Sequence, residues 1–288
     1  MNRSGFWFVV PFLVLYAAFL IAPMVIGLGA SVTDEGITGH ASFVGAANYA
    51  ELFQDPAVWS SLGHTLVFTV VSTPAIVLVG LAMALLANRA TPERWLYRLA
   101  FFAPYLLPVS VVVLIWSWLY QPGFGLINDL LTRLGLGEVG WLSTDGMAMT
   151  SIIITTVWWT AGFGFLLYLA ALQEIPRQLY EASALDGATP FQQLRRITLP
   201  LLSRTHQLVI VLQVLASLKV FDQIYLLSGQ GGVPGVRSIV QYIYESGFTR
   251  FRIGYASAIS YVFFALIAAV ALLHFRLTAP KASKGAER

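Results

Sequence analysis

The 288 residues include no cysteine, four histidines and only 11% charged side chains. Without thiols there are no disulfides, Cys-ligated zinc, iron–sulfur clusters or thiol nucleophile, and the redox compartment stays open. His64, His206 and His274 stand near the ends of apolar stretches with no metal-like spacing between them, so no metal is expected. No G-x-x-x-x-G-K-[ST] run occurs, so the chain cannot cradle ATP phosphates by that device. The shortage of charge excludes most. A soluble domain averages about 45–50% apolar and about 25% charged residues, whereas this chain is 57% hydrophobic with a mean hydropathy of +0.73. A water-facing surface needs charged residues and a lipid-facing one excludes them, so an integral membrane protein is expected.

A helix crossing the bilayer core needs about 20 mostly apolar residues. Six stretches qualify: roughly 6–32, 63–88, 99–120, 149–172, 201–227 and 255–275. Inside lipid the backbone polar groups must be satisfied within the segment, which selects helices over open strands. The fold class is therefore an all-α membrane protein, with residues 1–288 forming a single transmembrane domain. The first stretch follows a basic start at Arg3, but its apolar run far exceeds the about 7–15 residues of a signal core. No small-x-small cleavage site closes it, and Pro11 and Pro23 bend it or mark its ends.

Lys and Arg set the orientation. The formal charge of +3 and a pI near 9.2 would hint at nucleic acid in a soluble protein; in a bilayer they serve topology, and no nucleic-acid partner is expected. With the N-terminus in the cytoplasm, inner segments hold Arg3, Arg89, Arg94, Arg98, Arg177, Arg195, Arg196, Arg204, Arg276, Lys281, Lys284 and Arg288. Outer loops hold only Arg133, Arg237, Arg250 and Arg252, and Lys219 lies within a span. The first outer loop has four acids (Asp34, Glu35, Glu51, Asp55) and neither Lys nor Arg. Both termini are thus predicted to be cytoplasmic.

The most informative stretch is the inner loop 173–200. Pro176 suits the first turn of a helix, and Gly187 takes the left-handed conformation that ends one. A second start follows, with Thr189 as N-cap, Pro190 at N1 and Gln192 completing a capping box. Pro200 is expected to break that second helix. The first helix presents Leu179, Ala182 and Ser183 as small or apolar surface, with Glu181 and Asp186 beside it. The residues alone leave two readings open: a docking knob for a cytoplasmic partner, or a loop helix lying on the headgroups through Arg195 and Arg196.

Glu181-Ala182-Ser183, then Gly187, then nine residues to Ile197-x-Leu199-Pro200, resembles the "EAA" signature of permease subunits in binding-protein-dependent ABC importers. The one departure is Ser183, where Ala is commonest. The resemblance implies a type I importer permease fold in a bacterial-type inner membrane, with a coupling helix between spans four and five. It further implies a cytoplasmic ATPase dimer docked on that loop, a second and non-identical permease subunit, and an extracytoplasmic solute-binding protein. This chain would bind no cofactor; ATP and Mg would sit on the partner ATPase.

Two further stretches resemble the carbohydrate-uptake branch, which includes maltose-type and glycerol-phosphate permeases. They are 221–234, beginning Phe221-Asp-Gln-Ile-Tyr, and Tyr242-Ile-Tyr-Glu-Ser-Gly leading to Gly254-Tyr-Ala-Ser-Ala258. Phe43-Val-Gly-x-x-Asn48-Tyr49 is a third. They point to a sugar or sugar-like solute, with a glycerol-phosphate, amino-acid or peptide permease as the alternative. A sugar wants hydrogen-bonding groups and aromatic platforms. On span four Thr156, Thr160 and Phe163 share a face with Trp159 at its edge; on span five Gln213, Ser217 and Phe221 share another. The resemblance places both stripes at solute-contacting positions, whereas helix–helix packing explains them equally well from the residues alone. Lys219 and Asp222, the charges within spans four to six, have the spacing to pair at i, i+3. A secondary transporter would show repeated halves and more intramembrane acids, and a membrane enzyme a catalytic cluster; neither is visible.

Overall fold

The computed structural model describes residues 3–36, 39, 41–88, 94–144, 146–227 and 236–278. Arg89, Lys281, Lys284 and Arg288 of the charge argument, and 228–234 of the span-five stretch, lie outside the described residues. Regular structure among the described residues is helical, apart from one isolated bridge between Thr33 and Phe43. Four helices are long and apolar enough to cross a membrane, or six if each of two bent pairs counts as one span.

The first spanning helix, Phe8–Ala30, joins α1 (Arg3–Tyr16) to α2 (Ala22–Ala30) through a π-helical turn, Ala17–Ile21. The wide turn precedes Pro23, which sits in the first turn of α2 and needs no N–H there. After α3 (Ala47–Gln54) comes the long α4 (Pro56–Ala87).

The predicted continuous span 99–120 is broken. Its arms α5 (Arg94–Phe102, extended by a 3-10 turn to Leu106) and α6 (Val109–Leu119) meet at 99°. Pro108 supplies no N–H, and a residue before proline is driven out of the helical region; Leu107 accordingly sits at φ −74°, ψ 136°. Average apolarity is blind to this. After α7 (Leu126–Arg133), α8 (Met147–Glu174) runs unbroken.

The predicted span 201–227 is also corrected. A helical segment Pro190–Leu201, made of α10 (Pro190–Gln193), a π-turn and α11 (Leu199–Leu201), meets α12 (Ser203–Leu218) at 66°. The break expected at Pro200 is present, two residues further on at Leu202, and is preceded by the π-turn Leu194–Thr198, in which Leu199 N–H reaches the Leu194 carbonyl. At its far end α12 stops at Leu218, and α13 (Asp222–Leu227) starts anew. Lys219 caps one helix, Asp222 opens the next, and both are exposed. The break takes them off helical register, and no ion pair joins them among the described residues.

The chain divides into two compact units, Met1–Leu62 with Ile239–Val270, and Gly63–Ser238 with Ala271–Arg288. In the first, α14 (Ile239–Tyr244) and α15 (Ile253–Thr278) accompany the N-terminal segments. Asn48 donates to the carbonyls of Ser31 and Thr33, Arg252 grips Glu51 at 2.6 and 2.7 Å, and Tyr242 and Tyr255 both donate to Asp55. Burial first, and Asp55 second, push the Tyr242 hydroxyl above its ordinary pKa, so it remains a donor. Gly254 is obligatory here: its N–H donates to Glu35, and an added Cβ would fall 2.0 Å from the Thr33 carbonyl oxygen.

The second unit is organised around α8. Gly80 lets α4 cross it closely, with Ala161 O and Phe165 N 3.1–3.2 Å from where a Cβ would be. Phe165, Tyr168, Leu169 and Leu172 form a core with Val77, Leu81 and Ala84 of α4, Leu202 and Val209. A second core joins Phe68, Val113, Ile152, Val220 and Ile224.

Candidate functional site

The residues predicted to form the coupling loop sit on a helix–turn–helix built by two local locks. α9 (Arg177–Leu185) ends with Gly187 at φ +80°; Ala188 N–H bonds the Ser183 carbonyl at 2.9 Å and Gly187 N–H that of Ala184 at 3.0 Å. These are the paired bonds of a glycine C-cap. The predicted capping box is present: Gln192 N–H donates to Thr189 Oγ1, and Thr189 N–H to Gln192 Oε1.

A third lock was invisible in the sequence. The Gln193 side-chain amide donates to the Tyr180 carbonyl at 3.0 Å and to Ser183 Oγ at 2.9 Å, while the Tyr180 and Thr198 hydroxyls bond at 2.9 Å. Ser183, the departure from the expected Ala, thus accepts a hydrogen bond that Ala cannot. Spacings of ten and eighteen residues carry no periodic signal.

Glu181, Ala182, Asp186 and Gly187 are exposed, as are Leu199 and Pro200; Ser183 and Ile197 are half-buried. The apolar tip is more open still: Leu185 is 90% and Phe191 70% exposed. A cleft of about 380 Å³ lies between the two helices, with Asp186, Gln192, Arg196 and Ile197 among its walls.

The predicted path residues lie in the same unit, and the structure links each stripe to its surroundings. Thr156 and Thr160 donate their hydroxyls to the carbonyls one turn back, Ile152 and Thr156, so each keeps only acceptor capacity for a ligand. Thr156 also receives the Gln223 amide of α13 at 3.5 Å. Trp159 Nε1 donates to the Leu107 carbonyl at 3.1 Å, and the Phe163 ring lies 5.7 Å from that of Tyr105. On α12, the Gln213 amide donates to Ser217, and buried Ser217 meets the hydroxyls of Ser72 and Thr73 of α4 at 3.4 Å. Phe221, at the α12–α13 break, stacks on Tyr225. Ser72, Thr73 and Gln223 were missed; the run of polar residues in α4 (Thr65, Thr69, Ser72, Thr73), all buried, was the available signal.

Residues 76–283 match the family model of the binding-protein-dependent transport system inner membrane component. The chain belongs to this family, and is a multi-pass membrane permease component. It is 34% identical to the sulfoquinovosyl glycerol transport system permease SmoG of Agrobacterium fabrum, over 84% of this chain and 78% of that one. It is 32% identical to the trehalose/maltose transport system permease MalF of Thermococcus litoralis, over 96% and 93%. The structure of a bacterial alginate ABC transporter, in complex with an alginate pentasaccharide-bound periplasmic protein, contains a chain of the same fold. That chain has a TM-score of 0.87 at 24% identity, covering 96% of this chain and 94% of its own length.

Proposed function

We propose that this chain is the pore-forming permease subunit of an ATP-driven sugar importer, worked by a separate ATPase through the loop 173–200. Its similarity to permeases named for sugar-containing solutes supports the solute class. The observation that carries the coupling is the apolar tip of Leu185 and Phe191, exposed on a helix–turn–helix held by three sets of hydrogen bonds. A rigid, protruding apolar knob transmits a push; a flexible one absorbs it. Glu181, Ala182, Ser183, Asp186 and Gly187 make the docking face, and Ile197, Leu199 and Pro200 lead the motion into α12.

ATP and Mg belong to the partner ATPase dimer, and this chain contributes no nucleotide site. Solute arrives from an extracytoplasmic binding protein and passes between this chain and a non-identical sister permease. Within this chain the path follows Thr156, Thr160 and Phe163 of α8, with Trp159 at its edge, and Gln213, Ser217 and Phe221. Both termini face the cytoplasm, as the excess of basic residues in the inner segments favours. A cysteine at Gln178 is then shielded from an impermeant thiol reagent in intact cells, while one at Ser42 reacts.

The test is Gly187→Val in the reconstituted complex. Left-handed geometry costs a non-glycine residue about 1–2 kcal/mol, and a branched side chain resists it further. The expected outcome is loss of binding-protein-stimulated ATP hydrolysis with the permease still inserted in the membrane. Glu181→Lys should act similarly and be partly restored by charge reversal on the ATPase. Wild-type stimulation in Gly187→Val would remove the coupling role.

A further inference from the structure

The vertex of the broken third span poses a problem that the chain must solve. Between Leu106 and Val109 the helical ladder is interrupted, so carbonyls that a helix would satisfy are left over in an apolar setting. Each such group costs free energy unless it finds a donor. The Leu107 carbonyl finds one 52 residues away, the indole N–H of Trp159 at 3.1 Å.

The surrounding contacts make that bond specific. Next to it on α8, Gly162 lets the first arm approach: a Cβ there would lie 2.8 Å from the Phe101 carbonyl oxygen. Phe163 meets Tyr105 just before the vertex. The second arm is held on α8 too, by Tyr120 donating to the Ser151 carbonyl at 2.9 Å and by Trp116 packed edge-on against Trp158. Both arms therefore lie on one unbroken helix, and Trp159 is where their junction is tied to it. Each arm keeps its own contacts without the indole; the vertex itself has no other hydrogen bond to α8 among the described residues.

We propose that Trp159 is the positioning residue of the broken third span. Its N–H, donated to Leu107, sets the angle between α5 and α6 that transport requires; the ring borders the path, but the N–H acts on the span and not on the solute. This inference rests on the importer reading above.

The experiment uses the complete complex in nanodiscs, with the binding protein purified carrying its native cargo. Two variants remove the N–H: Trp159→Phe, and 3-benzothienyl-alanine incorporated at 159, which keeps the indole's shape and so guards against a folding defect. Trp118→Phe removes an exposed indole that makes none of these contacts, as a control. Backbone amide exchange over 103–112 should rise at least fivefold in both Trp159 variants, because Leu107, Val111 and Val112 are bonded within the vertex to Pro104 and Pro108. Maximal stimulated ATP hydrolysis should fall at least tenfold, with the half-saturating binding-protein concentration unchanged within twofold; the control should match wild type in all three. A loss of rate without faster exchange would place Trp159 on the solute and overturn the proposal. Faster exchange with a full rate would make the bend a passive scaffold and overturn it as well. A wild-type complex that shows no stimulation would instead remove the importer reading, and this inference with it, whereas a stimulated wild type matched by the benzothienyl variant defeats the inference alone.

Discussion

The helix Phe8–Ala30 is more apolar than α8, yet none of its most apolar window is buried while half of that of α8 is. In water the order would be reversed, because burial follows apolarity. In lipid the acyl chains are as apolar as Leu, so helices associate through close fit and hydrogen bonds. α8 accordingly carries Ser151, Thr155, Thr156, Ala161, Gly162 and Gly164 on its buried positions, whereas Phe8, Phe12 and Phe19 project outward from the first helix. On α8 small and polar residues share the buried positions with large apolar ones such as Phe165 and Tyr168, whereas the first helix turns its large apolar residues outward.

The strongest test of that contrast removes a ring from each helix. Phe165 is fully buried and Phe19 is 79% exposed. Phe165→Ala should cost about 3 kcal/mol, at the low end for a close-packed Phe, and Phe19→Ala well under 1 kcal/mol by comparison. Unfolding of the detergent-solubilised complex reads both, and equal losses would break the comparison. Adding bulk comes next. Gly162→Leu forces a side chain into the Phe101 backbone and should cost about 1–3 kcal/mol. Gly29→Leu, where nothing lies within 4 Å of an added Cβ, should leave melting temperature and yield unchanged.

The loop 173–200 sharpens the comparison, since it is exposed yet hydrogen-bonded. Ser183→Ala removes one acceptor of the Gln193 amide, worth about 0.5–1.5 kcal/mol, and should speed amide exchange at Gly187 and Ala188 without affecting membrane insertion. The smallest effect belongs to Thr160→Val. Its hydroxyl returns to its own helix, a bond that competes with the backbone ladder and adds little stability. Stability should move by less than about 0.5 kcal/mol, so any fall in uptake would report on the solute path directly.

Legibility in the sequence divides along the same line. The caps of the loop were readable because Thr189, Gln192 and Gly187 act on neighbours within five residues. Span existence was readable because apolarity accumulates along each segment. The breaks at Leu107–Pro108 and after Leu218 were not, since Pro108 lies in an apolar run that averages out, and Lys219 reads as a charge inside a span. The roles of the stripe residues were least readable. The same Thr156–Thr160–Phe163 spacing suits a solute face or a packing seam, and the partners come from two distant segments, Tyr105 and Leu107 at the end of the first arm of the broken span and Gln223 in α13.

By itself the sequence determined that this is an all-helical membrane protein with a capped helix–turn–helix between its fourth and fifth apolar stretches. Apolar length and local capping act within a few turns of chain, and they are written in consecutive residues. The tertiary structure decided where two spans break, which helix is buried, and that Trp159 serves the Leu107 carbonyl. Those outcomes depend on donors and small residues meeting orphaned backbone groups from distant segments, and a bilayer, which offers no water to satisfy such groups, makes the meeting obligatory.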